Sequence, residues 1–281
     1  MSVKISFVAP WADSSKLLTN MAKFSPNNSG TWKNIVGVSD PKDADVLVYL
    51  DNYKTYDTSK RMILFQSEPF NNPNISENAY GFDNHFFVVR YPHFIKCTYD
   101  FMYSLYPPTK TKTLSTITSA KSFFPGHAHR KSFIINLSNR LEIDIFGYGW
   151  GNELGDNYKG PLDGYHNYNV DNPRTKYDSL INYKYSICIE NCSRDNYFTE
   201  KFTDAILCWT IPIYYGCKNI SKYFPEGCYY YIDIYDPKCH EKINEIINRP
   251  ITQYNIECIK EARELILNKY NIWNQINEIL S

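Results

Sequence analysis

Short runs of consecutive apolar residues, separated by polar connectors, fill the first hundred positions: VKISFVA (3–9), ADVLVYL (44–50), RMILFQSEP (61–69) and HFFVVRYP (85–92). A strand covered on both faces needs apolar side chains at successive positions, not alternate ones. The pattern therefore predicts buried strands of a mostly parallel sheet, with a helix around Ser14–Phe24. Pro107–Pro108 followed by TKTKT interrupts it, because consecutive prolines stop regular structure and the Thr/Lys run is too polar to bury. A domain boundary is expected near residue 109.

Beyond that boundary the alternation restarts with LSTITS (114–119), a helix from His127 to Arg140 and IDIFGYGW (143–150). A polar, aromatic stretch to residue 173 reads as a loop over a site. A helix around Thr175–Tyr183 then leads into YSICIEN (185–191), TEKFTDAILC (199–208), TIPIYYG (210–216), ISKYF (220–224), YYYIDI (229–234) and two terminal helices across 237–281. Pro212 and Gly216 mark TIPIYYG as an edge or site-lining strand, since proline cannot donate to a ladder. No repeat of 20–50 residues is evident, so the expectation is an α/β chain of two Rossmann-like domains, alike in architecture and not in sequence.

Composition narrows the partners. A chain of 281 residues suits two modest domains with a cleft between them. Lys+Arg and Asp+Glu are both 30, and no block of like charges occurs, which argues against nucleic acid as a partner. Apolar residues at 43% and charged residues at 21% exclude disorder, while 25 Tyr and 16 Phe supply amphipathic rings for pockets and surfaces. MSVKISFVAPWADSS reads as a first core strand and not a signal peptide, and no run approaches the ~18 apolar residues of a membrane span. The expectation is a cytoplasmic protein without stable membrane insertion, its oligomeric state open. Eight Cys lie mostly in apolar strings without a CxxC pair, which predicts reduced core thiols; Cys188 and Cys192 resemble a zinc pair only weakly.

The densest chemistry is in CIENCSRDNYFTEKFTDAILCWTIPIYYG, where an apolar strand ends on Glu190–Asn191 and Thr199 caps a helix opening with Glu200–Lys201. Ligands of open α/β sheets bind beyond the carboxyl ends of strands, and a helix N-terminus offers free N–H groups to an anion. A phosphate there would meet Lys201, and Glu200 could accept from the vicinal hydroxyls of a ribose. The competing interpretation is a capped surface helix with a Glu–Lys pair. Arg130 follows Gly126–His127 at a strand-to-helix turn as a candidate phosphate fork, against a structural ion pair. His127 and His129 lack a third metal ligand nearby. Asp43–Ala44–Asp45 has acid-x-acid spacing but precedes its strand, as a solvated approach to it would.

Residues 183–216, YKYSICIENCSRDNYFTEKFTDAILCWTIPIYYG, resemble the donor-binding signature of the α-1,3-fucosyltransferases, glycosyltransferase family 10: Phe-Glu-Asn, Tyr-Val-Thr-Glu-Lys, Asp-Ala and Ile/Val-Pro-Ile/Val-Tyr-Trp-Gly in this order. ITSAKSFFPGHAHRKSFIINL (117–137) resembles the segment carrying the family's phosphate-binding Arg, which falls on Arg130. RMILFQSEP (61–69) resembles the acceptor-domain strand whose Glu is the catalytic base, which falls on Glu68; YGFDN and VVRYPHF (80–94) resemble the segments that come next. Ile189, Tyr215 and Ala120 depart from the family's usual Phe, Trp and Asn.

The resemblance implies a GT-B glycosyltransferase: an acceptor-binding domain over 1–108, a GDP-sugar-binding domain over 109–262, and a last helix (263–281) packing back toward the first. It implies inverting transfer of L-fucose from GDP-fucose to a glycan hydroxyl. Glu68 would be the base and Arg130 and Lys201 would stabilise the diphosphate. Asn191 and Glu200 would hold ribose or phosphate, Tyr197 the guanine, and Glu190 would lie near the fucose. No cofactor or metal is required on this reading, a divalent ion being at most stimulatory, because the two cations and helix dipoles neutralise the leaving diphosphate. The alternatives are transfer of another nucleotide sugar such as GDP-mannose, and a non-catalytic glycan-binding protein.

Overall fold

The computed structural model describes residues 2–50, 57, 59–65, 79–80, 97–123, 125–162 and 175–281. The first sheet is built from β1 (Val3–Val8), β2 (Thr31–Trp32), β3 (Ile35–Gly37), β4 (Val46–Leu50), β5 (Arg61–Phe65) and β6 (Ala79–Tyr80), in the order β2-β3-β1-β4-β5-β6. Only the β2–β3 pair is antiparallel. The apolar run of β4 is buried at every position because both faces are covered. Val46, Val48 and Leu50 join one core cluster with Phe7 and Leu17, the latter from α1 (Ser14–Ala22), whereas Leu47 and Tyr49 join another with Met62 and Leu64.

Of the 43–45 acidic pair, Asp45 serves the fold by accepting the Lys4 backbone N–H at 2.8 Å, and Lys60 Nζ binds the neighbouring carbonyls of Pro41, Lys42 and Ala44. HFFVVRYP (85–92) lies outside the described residues.

The second sheet contains β7 (Lys112–Ile117), β8 (Asp144–Phe146), β9 (Tyr158–Gly160), β10 (Tyr183–Ile189), β11 (Ile211–Tyr215) and β12 (Tyr230–Tyr231), all parallel, in the order β12-β11-β10-β7-β8-β9. Read from the other edge this is the 3-2-1-4-5-6 order of a Rossmann sheet, whose two halves diverge between β7 and β10. Between its strands run α3 (Pro125–Ser138) and α4 (Glu200–Leu207); α2 (Tyr99–Ser104) precedes it, and α5 (Cys239–Ile247), α6 (Gln253–Glu264) and α7 (Ile272–Leu280) follow.

Of the two readings of TIPIYYG, site-lining holds and edge does not: Tyr215 lines a cleft, and β11 pairs with both β10 and β12; Pro212 is tolerated there because two-residue β12 pairs only with Ile213 and Tyr214 and leaves no ladder beside the proline on that side. Two further expectations are corrected. Residues 176–182 form turns and not a helix: Asp178 folds back to accept from the Thr175 N–H and hydroxyl, and β10 begins at Tyr183 before a helix could propagate. The C-terminal stretch holds three α-helices instead of two, with a π turn at Leu265–Lys269 joining α6 to α7.

That last helix returns to the first sheet. Trp273 is fully buried edge-on to Phe7 (centroids 5.3 Å apart) and donates to the Met21 carbonyl at 2.8 Å, while Asn271 donates to the Phe24 carbonyl. The connection between the sheets is fastened to the C-terminus of α4. Lys110 Nζ donates to the carbonyls of Ile181 and Cys208 and to the Thr210 hydroxyl, and Arg263, packed 4.6 Å over the Trp209 ring, reaches the carbonyls of Leu207, Met102 and Leu105. All eight cysteines are free, and seven are buried.

Candidate functional site

The site grows from the fork between β7 and β10, where the strand order reverses and the two carboxyl ends leave a crevice. Proline at the first position of α3 costs no hydrogen bond, and the next residue must be glycine: a Cβ on Gly126 would stand 2.1 Å from the Asn191 carbonyl oxygen. This close approach lays the start of α3 against the end of β10. Arg130, on the helix's second turn and 5% exposed, donates through Nη1 to the Asn191 side-chain oxygen at 2.6 Å.

One residue earlier, Glu190 is 1% exposed and fully engaged. Its Oε1 accepts the Thr199 backbone N–H and its Oε2 the Thr199 hydroxyl, both at 2.7 Å, and Lys201 Nζ lies 3.4 Å from Oε2. Thr199 is the N-cap of α4, so a strand-end carboxylate fixes the start of the helix. Burial raises the Glu190 pKa, and Lys201 opposes the shift. Gly216 makes the arrangement possible, since a Cβ there would lie 2.4 Å from Glu190 Cγ and from the Tyr214 hydroxyl. Lys201 also touches the Thr199 hydroxyl (3.1 Å) and Glu200 (3.5 Å) and retains partial exposure.

Deeper along α4, fully buried Asp204 pairs with buried Lys176, and desolvation raises the Asp204 pKa to about 7 despite that cation. Glu200 and Tyr197 are each 3% exposed. The loop from Asn191 to Tyr197 is tied back by hydrogen bonds: Ser193 donates to the Gly216 carbonyl, and Asn196, at φ 62°, exchanges hydrogen bonds with Asn219.

A cleft of about 700 Å³ opens beyond these strand ends. Glu190 and Asn191 line it, as do Gly126 and Ser193. A second part of its wall consists of Tyr215, Lys218, Tyr231 and the turn Asp233–Tyr235. Sequence reasoning did not single these out as site residues, although the rule that ligands sit past strand carboxyl ends points to whatever follows β11 and β12. Of the seven sequence-derived candidates, Glu190, Asn191, Arg130 and Lys201 gather around the strand fork. Of these, Glu190 and Asn191 line the cleft and Arg130 and Lys201 contact those two; Tyr197 and Glu200 are buried outside its lining, and Glu68 lies outside the described residues. His129 faces the ring of Tyr235. Among the described residues no group of three or more His, Cys, Asp or Glu converges as a metal site.

A sequence model described as glycosyltransferase family 10 (fucosyltransferase) C-term matches residues 107–251, just over half of the chain. An alpha-(1,3)-fucosyltransferase of Helicobacter pylori is 35% identical over 89 residues, 31% of this chain and 17% of that protein. A GDP-fucose protein O-fucosyltransferase 3 of Homo sapiens is 27% identical over 121 residues, 41% of this chain and 23% of that protein. The matched segments thus span less than a quarter of these curated relatives. Among solved structures, an alpha1,3-fucosyltransferase with GDP superposes with a TM-score of 0.52 at 18% identity, over 99% of this chain and 89% of that one. One with GDP-fucose gives 0.50 at 19% identity, over 93% and 81%. The fold is therefore GT-B. Among the described residues no helix is long and apolar enough to cross a membrane.

Proposed function

Because this chain belongs to glycosyltransferase family 10, the fucosyltransferases, we propose that it transfers L-fucose from GDP-fucose to a glycan hydroxyl with inversion at the anomeric carbon. The observation that carries the reading is the Arg130–Asn191 contact at the strand fork, beside a cleft of a size that suits a nucleotide sugar. A diphosphate can leave only as its charge is neutralised. Arg130 offers a planar donor fork, and Lys201 offers an ammonium steadied by Glu190 and Glu200. With two such cations the reaction needs no metal.

In this reading Asn191 and Glu200 hold ribose or phosphate, Tyr197 serves the guanine and Glu190 borders the fucose. Tyr197 and Glu200 can touch the nucleoside only if the 191–198 loop shifts on binding. Glu68 removes the acceptor proton as the hydroxyl attacks from the face opposite the departing GDP. Residues 1–108 receive the acceptor and 109–262 the donor, a division supported by the two separate sheets; 263–281 rejoin the first half, as Trp273 on Phe7 supports. Cytoplasmic action on a soluble or lipid-linked glycan belongs to the same reading, and eight free cysteines suit a reducing compartment.

Calorimetric titration with GDP and ADP, paired with a transfer assay on Glu68→Gln, tests it. GDP is expected to bind at roughly −4 to −8 kcal/mol and ADP far more weakly. Glu68→Gln should slow transfer by about 100- to 10,000-fold without changing GDP affinity. Equal heats for the two nucleotides would remove the guanine assignment, and undiminished transfer would remove Glu68 as the base.

A further inference from the structure

The part of the cleft wall made by Tyr215, Lys218 and the 233–235 turn is built unlike the fork. Tyr235 is 53% exposed, yet its ring is pinned from two sides: edge-on to Tyr215 at 5.9 Å and 68°, and edge-on to His129 at 5.1 Å, with its hydroxyl 3.3 Å from His129 Nδ1. An exposed aromatic held this firmly bridges β11 to the first turns of α3 and lines the cleft. The turn that carries it is tight because Asp233 Oδ1 accepts the Tyr235 backbone N–H at 3.0 Å. Among the described residues the other Asp233 oxygen has no hydrogen-bond donor. Ile234 and Lys218 complete the wall.

We propose that this wall is the subsite for the donor's 6-deoxyhexose ring, with Ile234, Tyr215 and Tyr235 receiving its C5-methyl and C–H face and Asp233 and Lys218 binding its hydroxyls. The assignment rests on the donor reading above and names which part of the donor goes where. Two rings meeting at 68° form a corner, which cups a non-planar, methyl-bearing sugar; a planar base is held between parallel faces. A nucleoside diphosphate carries no apolar protrusion to match Ile234, whereas a deoxysugar carries one methyl beside a row of hydroxyls. A carboxylate and an ammonium lining one cleft supply the acceptor and the donor that sugar hydroxyls require. The start of α3, which carries Arg130, lines the same cleft through Gly126 and meets this wall where His129 packs on Tyr235, so a diphosphate at the fork places the sugar within reach of this wall.

The test compares wild type with Tyr235→Ala, whose exposed ring can be removed without opening a core, and with Asp233→Asn, which keeps an acceptor for the turn. GDP affinity is read by calorimetry, and turnover is followed with GDP-fucose and GDP-mannose. The expected result is unchanged GDP affinity with kcat/KM for GDP-fucose lowered roughly 10- to 200-fold, the range for losing a small apolar contact, and a narrowed preference over GDP-mannose. A parallel fall in GDP affinity would assign the wall to the nucleoside and overturn the proposal. Unchanged kinetics in both variants would remove the wall from the donor site. Wild type that binds no GDP would bring down the donor reading itself, a result distinct from either.

Discussion

Arg130 donates to the side-chain oxygen of Asn191 across the gap between α3 and the end of β10, 2.6 Å apart, so the guanidinium is oriented before any ligand arrives. A donor set preorganised in this way acts most strongly where charge develops during reaction. Arg130→Ala and Lys201→Ala are each expected to lower turnover of GDP-fucose by ~100- to 1,000-fold. Asn191→Ala should reproduce part of the Arg130 loss by freeing the guanidinium. Near-normal turnover in the Arg130 or Lys201 variant, at unchanged melting temperature, would return that residue to a purely structural role.

Gly126→Ala tests the close approach that builds the fork. The added methyl would sit 2.1 Å from a backbone oxygen, and backbone cannot rotate aside as a long side chain can. Overpacking of this kind costs ~1–3 kcal/mol, and here the strain falls on Asn191. Both melting temperature and GDP affinity should drop. A variant unaltered in both would mean that α3 and β10 need not touch.

The parallel core was legible because burial on both faces writes itself as consecutive apolar residues: β4 and β10 announce themselves in VLVYL and YSICI. The β2–β3 hairpin was not, since its turn places Lys33 at φ 52° without the Asn-Gly signal that identifies such turns. Nor could the sequence show that Pro212 lies inside the sheet, which depends on the shortness of β12. At the site, the polar cluster after β10 stood out as a motif. Tyr235 and Asp233 did not, because their position follows from a loop folding back on α3 and not from any local pattern.

Glu190 and Thr199 should behave as one unit. Replacing Glu190 by Gln takes one of two carboxylates from partly exposed Lys201, Glu200 remaining, and leaves the Thr199 N–H and hydroxyl to a weaker neutral acceptor, which should cost about 1–3 kcal/mol. Thr199→Ala alone removes the cap at about 0.5–2 kcal/mol. Denaturant melts of both single variants and the double variant should show a coupling of roughly 0.5–3 kcal/mol. Simple additivity would mean that the 2.7 Å contacts contribute no joint stability.

Trp273→Ala asks whether the last helix is part of the first half's core. The indole is fully buried against Phe7 and hydrogen-bonded to the Met21 carbonyl, so the change opens a cavity and removes that bond, while the carbonyl keeps the Phe24 N–H. A loss of about 3–5 kcal/mol is expected. Truncation before Asn271 should destabilise at least as much. A truncated chain melting like wild type would show that α7 is dispensable to the first sheet.

Lys110 gives the connection between the sheets a pH signature. Burial lowers its pKa from 10.5 to about 7. An ammonium whose folded pKa is depressed is bound to more protons in the unfolded chain between those two values, so stability rises with pH across that window and is lost as pH falls toward 7. The slope is at most ~1.4 kcal/mol per pH unit, the worth of one proton. Buried thiols complicate absolute values at high pH, since burial pushes Cys97 up to about 12 and their stabilisation fades above their ordinary range. The difference between wild type and Lys110→Met over pH 7–9 isolates the lysine. Wild type should gain stability on the variant as pH rises, although the variant removes the lysine's bonds to the Ile181 and Cys208 carbonyls at every pH. A constant difference across the window would show that the three acceptors around the ammonium compensate its desolvation in full.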